Sequence, residues 1–179
     1  MDEREFTKTW WKNLCADEDR LIKWLQKLQH TERHGFYDNH DAIERFTDPM
    51  KDKNAIKVLT QTAIDEWRHA DLLVGLIHNR GLAITAPVKS LYWDEMEKVI
   101  VDLDTCMAAF HLAETLAAWR FEIFYEYENT PNDVKQWLET VIPDEQYHGK
   151  IFRKLTSEDT IARIKIEQQR VIELMKSKK

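Results

Sequence analysis

Four stretches of this chain carry apolar residues in alternating steps of three and four, and a carboxylate interrupts each apolar stripe near its middle. This spacing keeps side chains on one face of an α-helix, so it predicts amphipathic helices packed around a shared interior. The interrupting residues are Glu32, Glu66, Glu114 and Glu145. The 179 residues include only 4 Gly and 4 Pro, which leaves little turn-forming sequence for a β-fold. An all-α fold is therefore expected.

Capping signals predict where the helices begin and end. Asp48-Pro49, Thr130-Pro131 and Ser157 are typical of helix starts, and Gly81 is typical of a helix end. The predicted helices cover residues 17–46, 49–80, 93–128, 132–155 and 158–177, with a crossover at 81–92 that contains Pro87. This order predicts a four-helix bundle of two antiparallel hairpins joined by a crossover, with an additional C-terminal helix. We expect one domain over residues 1–179, with a bundle core at about 17–155.

Two of the interrupting carboxylates belong to a repeated motif, Asp-Glu-x-x-His, written DEWRH at 65–69 and DEQYH at 144–148. A Glu and a His three residues later lie about one turn apart on the same helix face. Four unpaired carboxylates in one interior would repel one another, and bound cations would remove that conflict. The candidate metal ligands are four carboxylates and two imidazoles: Glu32, Glu66, His69, Glu114, Glu145 and His148.

The candidate ligands are also expected to lie level with one another. In an antiparallel hairpin, residues that face each other have their midpoint at the turn. The midpoint between Glu32 and the first motif falls at Pro49, and that between Glu114 and the second motif falls at Thr130-Pro131. Both positions coincide with turns that the capping signals indicate independently.

This pattern resembles the ferritin-like di-iron carboxylate superfamily, which includes rubrerythrins, ribonucleotide reductase small subunits and bacterial di-iron monooxygenases. The resemblance covers about residues 17–155. It implies two Fe ions, with Mn as an alternative, held by the six candidate ligands. It also implies that Asp65 orients His148 and that Asp144 orients His69, which would set the tautomer and basicity of each imidazole.

Several other residues near the candidate ligands have two interpretations each. His111, one turn before Glu114, is either a further ligand or proton shuttle, or a hydrogen-bonded core histidine. Tyr147 and Trp67, inside the motifs, are candidates for electron or radical transfer, or else packing residues. His30 and His34 flank Glu32 on the opposite helix face and are expected at the surface, and His40 and His78 have no support as ligands.

Small residues occupy two positions beside the candidate ligands. Gly35 and Ala117 stand where the two motif helices have their histidines. They either leave space beside the metals for dioxygen, peroxide or a substrate, or let neighbouring helices approach closely.

Six ligands on two redox-active ions leave open coordination positions, and such positions indicate reaction with dioxygen or hydrogen peroxide. The expected function is a di-iron oxidoreductase of oxidase, oxygenase or peroxidase type. It would act on a small-molecule substrate that the sequence does not identify and would need an external electron donor. The alternatives are a ferritin-type protein for iron storage or detoxification, and a dimanganese catalase. The predicted C-terminal helix of about 20 residues is longer than the short fifth helix usual in cage ferritins.

Composition argues against several other classes. The net charge of −6 does not favour nucleic acid or an anionic membrane as a partner. The first residues are acidic and contain no apolar signal-peptide core, and no apolar run approaches the ~20 residues of a membrane span. The 2 cysteines form no CxxC motif, so neither a rubredoxin-type site nor a disulfide framework is expected. We expect a cytoplasmic protein, with a homodimer as one open possibility.

Overall fold

The computed structural model describes residues 2–86 and 90–177, so Pro87 lies outside the described residues. The helices in these ranges are α1 (Glu3–Cys15), α2 (Glu18–Phe46), α3 (Lys53–Asn79), α4 (Leu91–Met96), α5 (Leu103–Glu126), α6 (Asn132–Arg153) and α7 (Glu158–Ser177), with a 3₁₀ turn at Glu97–Val99. The predicted all-α fold is confirmed.

The bundle consists of two antiparallel hairpins. α2 packs along α3, α5 packs along α6, and the hairpins contact each other mainly through α3 and α6. α2 and α5 stand farther apart, and α1, α4 and α7 cover the gap between them. No helix within 2–86 and 90–177 has the length and apolarity needed to cross a membrane. The single domain over residues 1–179 stays a prediction.

The predicted helix start at Asp48-Pro49 is wrong, because Asp48 caps a turn instead. Its Oδ1 accepts a hydrogen bond from Met50 N at 2.9 Å, and its own N donates to Asp52 Oδ2 at 2.8 Å. α3 therefore begins only at Lys53. The loop is still centred near Pro49, so Glu32 is still expected to lie opposite the first motif across this hairpin.

The predicted continuous helix over 93–128 is also wrong, because the chain breaks between α4 and α5. Asp102 and Thr105 form a capping box: Thr105 N donates to Asp102 Oδ1 at 2.8 Å, and Thr105 Oγ1 accepts from Asp102 N at 3.1 Å. These local bonds start a new helix at Leu103. The preceding residues form α4, which packs against α7, and the 3₁₀ turn.

The remaining helix ends lie close to their predicted positions. Gly81 ends α3 with φ at 73°, and its N donates to His78 O while Leu82 N donates to Ile77 O. Pro131 rather than Thr130 is the cap of α6, which ends at Arg153 instead of 155. α7 begins immediately after Ser157, as predicted.

α1 was not predicted from the sequence. Its buried residues Thr7, Trp11 and Leu14 recur at helical spacing, and Asp2 caps its first turn. The Trp11 ring stacks on Phe124 with centroids 4.1 Å apart, and its Nε1 donates to Thr130 Oγ1 at 2.7 Å. α1 therefore packs against the turn of the second hairpin and closes that end of the bundle.

The apolar core is divided by a polar layer. One apolar cluster, around Trp11, Leu25, Leu73 and Leu138, fills the end nearest α1. A second cluster, around Leu59 and Phe152 among others, fills the opposite end. The interrupting carboxylates lie between the two clusters, at mid-height of the helices.

Candidate metal centre

Six side chains predicted as ligands converge at mid-height of the bundle. They come from four helices: Glu32 on α2, Glu66 and His69 on α3, Glu114 on α5, and Glu145 and His148 on α6. All are buried except Glu114, which is partly exposed. The amphipathic periodicity of each helix turns these polar residues into the interior together with the apolar stripe.

The ligand atoms form two groups that share two carboxylates. One atom each from Glu32, Glu66, His69 and Glu145 lies within 4.8 Å of the others in its group, and the same holds for Glu66, Glu114, Glu145 and His148. His69 Nδ1 is 3.4 Å from Glu32 Oε2 and 3.2 Å from Glu145 Oε1. His148 Nδ1 is 3.6 Å from Glu66 Oε1. Two groups that share two carboxylates are consistent with a site for two metal ions.

Four polar atoms of this ligand group lack hydrogen-bond partners. They are Glu32 Oε2, Glu66 Oε1, His69 Nδ1 and His148 Nδ1, all buried. A buried polar atom without a partner is unfavourable by about 1–3 kcal/mol. Four such atoms pointing into one space fit bound cations, and a mixed carboxylate and imidazole set suits Fe or Mn.

The electrostatics of the group also favour added positive charge. Burial, and then the neighbouring Glu145, Glu114 and Glu32, raise the pKa of Glu66 well above its ordinary value. Burial and Glu145 raise the pKa of Glu114 in the same way. Burial alone would lower the pKa of His69, but Glu145 and Glu32 outweigh it and raise that pKa to about 11. Protons therefore supply the positive charge where metals do not, and metal binding has to displace them.

The histidines are held from behind by aspartates of the opposite motif. His69 Nε2 lies 3.1 Å from Asp144 Oδ2, and His148 Nε2 lies 3.3 Å from Asp65 Oδ2. An N–H on each Nε2 can donate to its aspartate, which leaves the Nδ1 lone pair directed at the ligand group. The contacts cross between the two hairpins, in the pairing that the superfamily resemblance implies.

Arg68 was not singled out from the sequence, although it lies inside the first motif. Its guanidinium is 2.6 Å from Asp144 Oδ2 and 3.3 Å from Asp65 Oδ1. It therefore connects the two aspartates that contact the histidines. Trp137 was also missed; its Nε1 donates to the backbone oxygen of His69 at 3.2 Å.

His111 and Tyr147 lie away from the ligand atoms. His111 Nδ1 is 2.7 Å from the carbonyl oxygen of Gly149, to which it can donate, and it belongs to neither group of ligand atoms among the described residues. Burial lowers the pKa of His111, and the bond to Gly149 opposes that effect. The Tyr147 side chain is 57% exposed and points away from the interior.

A carboxylate lies directly against Gly35. A Cβ atom at this position would lie 2.6 Å from Glu66 Oε2 and 2.9 Å from Glu66 Cγ. Gly35 therefore gives Glu66 the room to lie against α2. Gly35 and its counterpart on α5, Ala117, both line a cavity.

His30 is buried, contrary to the expected surface position, because the segment after α3 folds over it. Its Nε2 lies 3.5 Å from Thr85 Oγ1. Trp67 is 37% exposed, and the Arg33 guanidinium lies 4.9 Å from its ring centroid.

A cavity of about 320 Å³ lies between α2 and α5, within the size range of small-molecule sites. The glutamates of the ligand group line one part of it, while the two ligand histidines do not belong to its wall. Its other walls are mostly apolar and aromatic, and include Trp10, Trp24, Trp93, Phe121 and Met175. A small organic molecule in this cavity would meet the carboxylate side of the candidate metal centre.

Comparison with known proteins identifies the fold. No protein-family model matches the chain, and no curated protein matches its sequence. A solved structure described as "Protein 43 with aldehyde deformylating oxygenase activity from Synechococcus" superposes with a TM-score of 0.75 over 92% of this chain and 84% of that one, at 14% sequence identity. The chain thus has the ferritin-like fold that the sequence predicted, with a candidate carboxylate–histidine metal centre buried inside it.

Proposed function

We propose that this protein is a di-iron carboxylate oxidoreductase that reacts with dioxygen or hydrogen peroxide inside the bundle. The observation that carries the proposal is the pair of ligand groups that share Glu66 and Glu145, with both histidine Nδ1 atoms unpartnered and turned inward. Two iron ions held there would supply the electrons that reduce the oxidant. The Synechococcus protein of the same fold has an oxygenase activity, which supports this reaction class.

The surrounding residues would each contribute to such a reaction. Glu32, Glu66 and His69 would hold one metal, and Glu114, Glu145 and His148 the other, with Glu66 and Glu145 placed to contact both. Asp144 and Asp65 would keep Nε2 of His69 and His148 protonated, so that Nδ1 stays free to bind. The apolar walls of the cavity would exclude water from the carboxylate side.

The cavity favours an oxidoreductase with an organic substrate over iron storage or a dimanganese catalase. Iron ions, dioxygen and hydrogen peroxide are all much smaller than a space of about 320 Å³. Aromatic and aliphatic walls bind apolar molecules through burial of apolar surface. The proposed reaction would also need an external electron donor.

Anaerobic loading with Fe(II) followed by stopped-flow mixing with dioxygen or peroxide tests this function. We expect about two Fe per chain and a near-ultraviolet or visible charge-transfer band that grows in after mixing. The double variant Glu66→Ala/Glu145→Ala should lose the band, while Glu44→Ala, at an exposed position of α2, should retain it. A slow reaction of the native protein with both oxidants would instead support storage, and full Mn occupancy with rapid peroxide disproportionation would support the catalase.

A further inference from the structure

The cavity beside the carboxylates is lined by a guanidinium and by two lysines, Lys27 and Lys176, among mostly apolar walls. Arg120 lines it from α5, and Tyr92, Phe121 and Phe124 are among the aromatic residues of the same wall. A cation in such surroundings is unfavourable unless an anion accompanies it. Burial accordingly lowers the pKa of Arg120, although nearby Glu3 opposes this effect.

The protein itself pairs Arg120 only weakly. The nearest carboxylate oxygen among the described residues, Glu3 Oε1, is 3.6 Å from the guanidinium, too far for a hydrogen bond. The other oxygen of Glu3 lies 2.6 Å from Lys176 Nζ, so Glu3 is engaged mainly by Lys176. A guanidinium has five N–H donors, and a planar carboxylate can accept two of them side by side. Arg120 is therefore able to bind a further anion.

The opposite charge lies elsewhere in the same cavity. Glu32, Glu66, Glu114 and Glu145 line it at the metal centre. An anionic group would be repelled there and attracted at Arg120, so a molecule with one charged end has one favoured orientation. Its apolar part would then lie toward the four glutamates.

We propose that the cavity binds a carboxylate carried on an apolar chain, with Arg120 holding the carboxylate and the chain reaching the metal centre. The inference rests on the proposed function in one respect: the bound molecule is taken to be the substrate of that reaction. Arg120 lies six residues after Glu114 on α5, about 9 Å along the axis at 1.5 Å per residue. An extended chain of roughly eight carbons spans that distance, because each C–C bond of about 1.5 Å advances a zigzag chain by about 1.25 Å. A carboxylate as short as butyrate would fall well short of that distance.

Calorimetric titration with butyrate, decanoate, decanol and decylamine tests the inference. Decanoate should bind more tightly than the alcohol, the amine or butyrate. Arg120→Gln should weaken decanoate binding by about 10–100-fold, as expected for loss of a charged hydrogen-bonded pair. Arg120→Lys should be intermediate because it keeps the charge and loses the two-pronged geometry. The matched control is Arg170→Gln, whose guanidinium pairs with Glu167 on the surface of α7.

The inference is overturned if decanol binds as tightly as decanoate, or if folded Arg120→Gln binds decanoate as the native protein does. The comparison of ligands on native protein decides the matter even where a variant does not fold. Titrations are performed on metal-free and iron-loaded protein, because a carboxylate could also bind iron directly. Arg120-dependent binding by protein that takes up no iron would support the carboxylate site while refuting the proposed function.

Discussion

Replacing Gly35 by alanine should separate the packing of α2 from the position of Glu66. In an exposed helix interior, Gly→Ala stabilises by about 1 kcal/mol through propensity alone. At Gly35 the added Cβ would approach Glu66 Oε2 to 2.6 Å, Cγ to 2.9 Å and Cδ to 3.0 Å. Overpacking of this kind typically destabilises by about 1–3 kcal/mol, so the net effect on folding ranges from nearly neutral to destabilising by about 2 kcal/mol.

Gly75→Ala provides the matched control, because this exposed position in α3 has no atom within 4 Å of an added Cβ. It should stabilise the protein by about 1 kcal/mol. Urea unfolding of metal-free protein should therefore place Gly35→Ala about 1–3 kcal/mol below Gly75→Ala.

Iron binding should separate the two variants further. Displacement of the Glu66 carboxylate should weaken iron binding in Gly35→Ala by at least the 10–100-fold typical of disturbed metal surroundings, whereas Gly75→Ala should bind iron like the native protein. Competition with a chelator measures this affinity. Equal stabilisation by both substitutions, together with unchanged iron affinity, would show that Gly35 does not make room for Glu66.

Three further perturbations follow from individual contacts. Asp65→Asn should weaken iron binding by roughly 10–100-fold, because it removes the carboxylate behind His148. Asp71→Asn, at an exposed site of α3, is the control and should leave iron affinity unchanged. Equal affinities of the two variants in a chelator competition would refute this role of Asp65. Burial raises the pKa of Asp38 to about 6; His34 opposes this shift, and Glu97 and Asp41 reinforce it. Because the unfolded chain loses this proton at lower pH than the native protein, native stability should fall as pH rises from about 4 to 6. Glu66 and Glu114, whose pKa values are also raised, contribute a fall of the same sign, so Asp38→Asn should reduce the fall rather than abolish it. The substitution should stabilise the protein at pH 7 by about 1–3 kcal/mol in urea titrations, and an unaltered pH profile would contradict it. Trp11→Phe should destabilise by about 1–2 kcal/mol, since the Thr130 hydroxyl loses a buried donor; no shift in the unfolding midpoint would mean that α1 contributes little to closing the bundle.

Features with a local or periodic cause could be predicted from the sequence. The 3–4 spacing identified the four long helices, and the hairpin midpoints placed Glu32 level with Glu66, because both follow from helix geometry alone. A capping signal was misleading at Asp48, whose side chain closes a turn, while Asp102 starts a helix that the apolar stripe had run through.

Features that depend on distant contacts could not be predicted in this way. α1 is held by Trp11 against the turn at Thr130, and His30 is buried because Thr85 folds over it. The cavity exists because α2 and α5 stand apart under helices from both ends of the chain. Gly35 was recognised as a small residue beside the site, but only the structure shows that Glu66 lies directly against it.

The central claim is that two metal ions bind between the hairpins. A crystal structure of the iron-loaded protein with anomalous data collected on both sides of the iron edge tests this most directly. We predict two iron peaks per chain, one contacted by Glu32 and His69 and the other by Glu114 and His148, with Glu66 and Glu145 reaching both. A single peak, or iron bound only at surface carboxylates while these six side chains keep their metal-free positions, would contradict it.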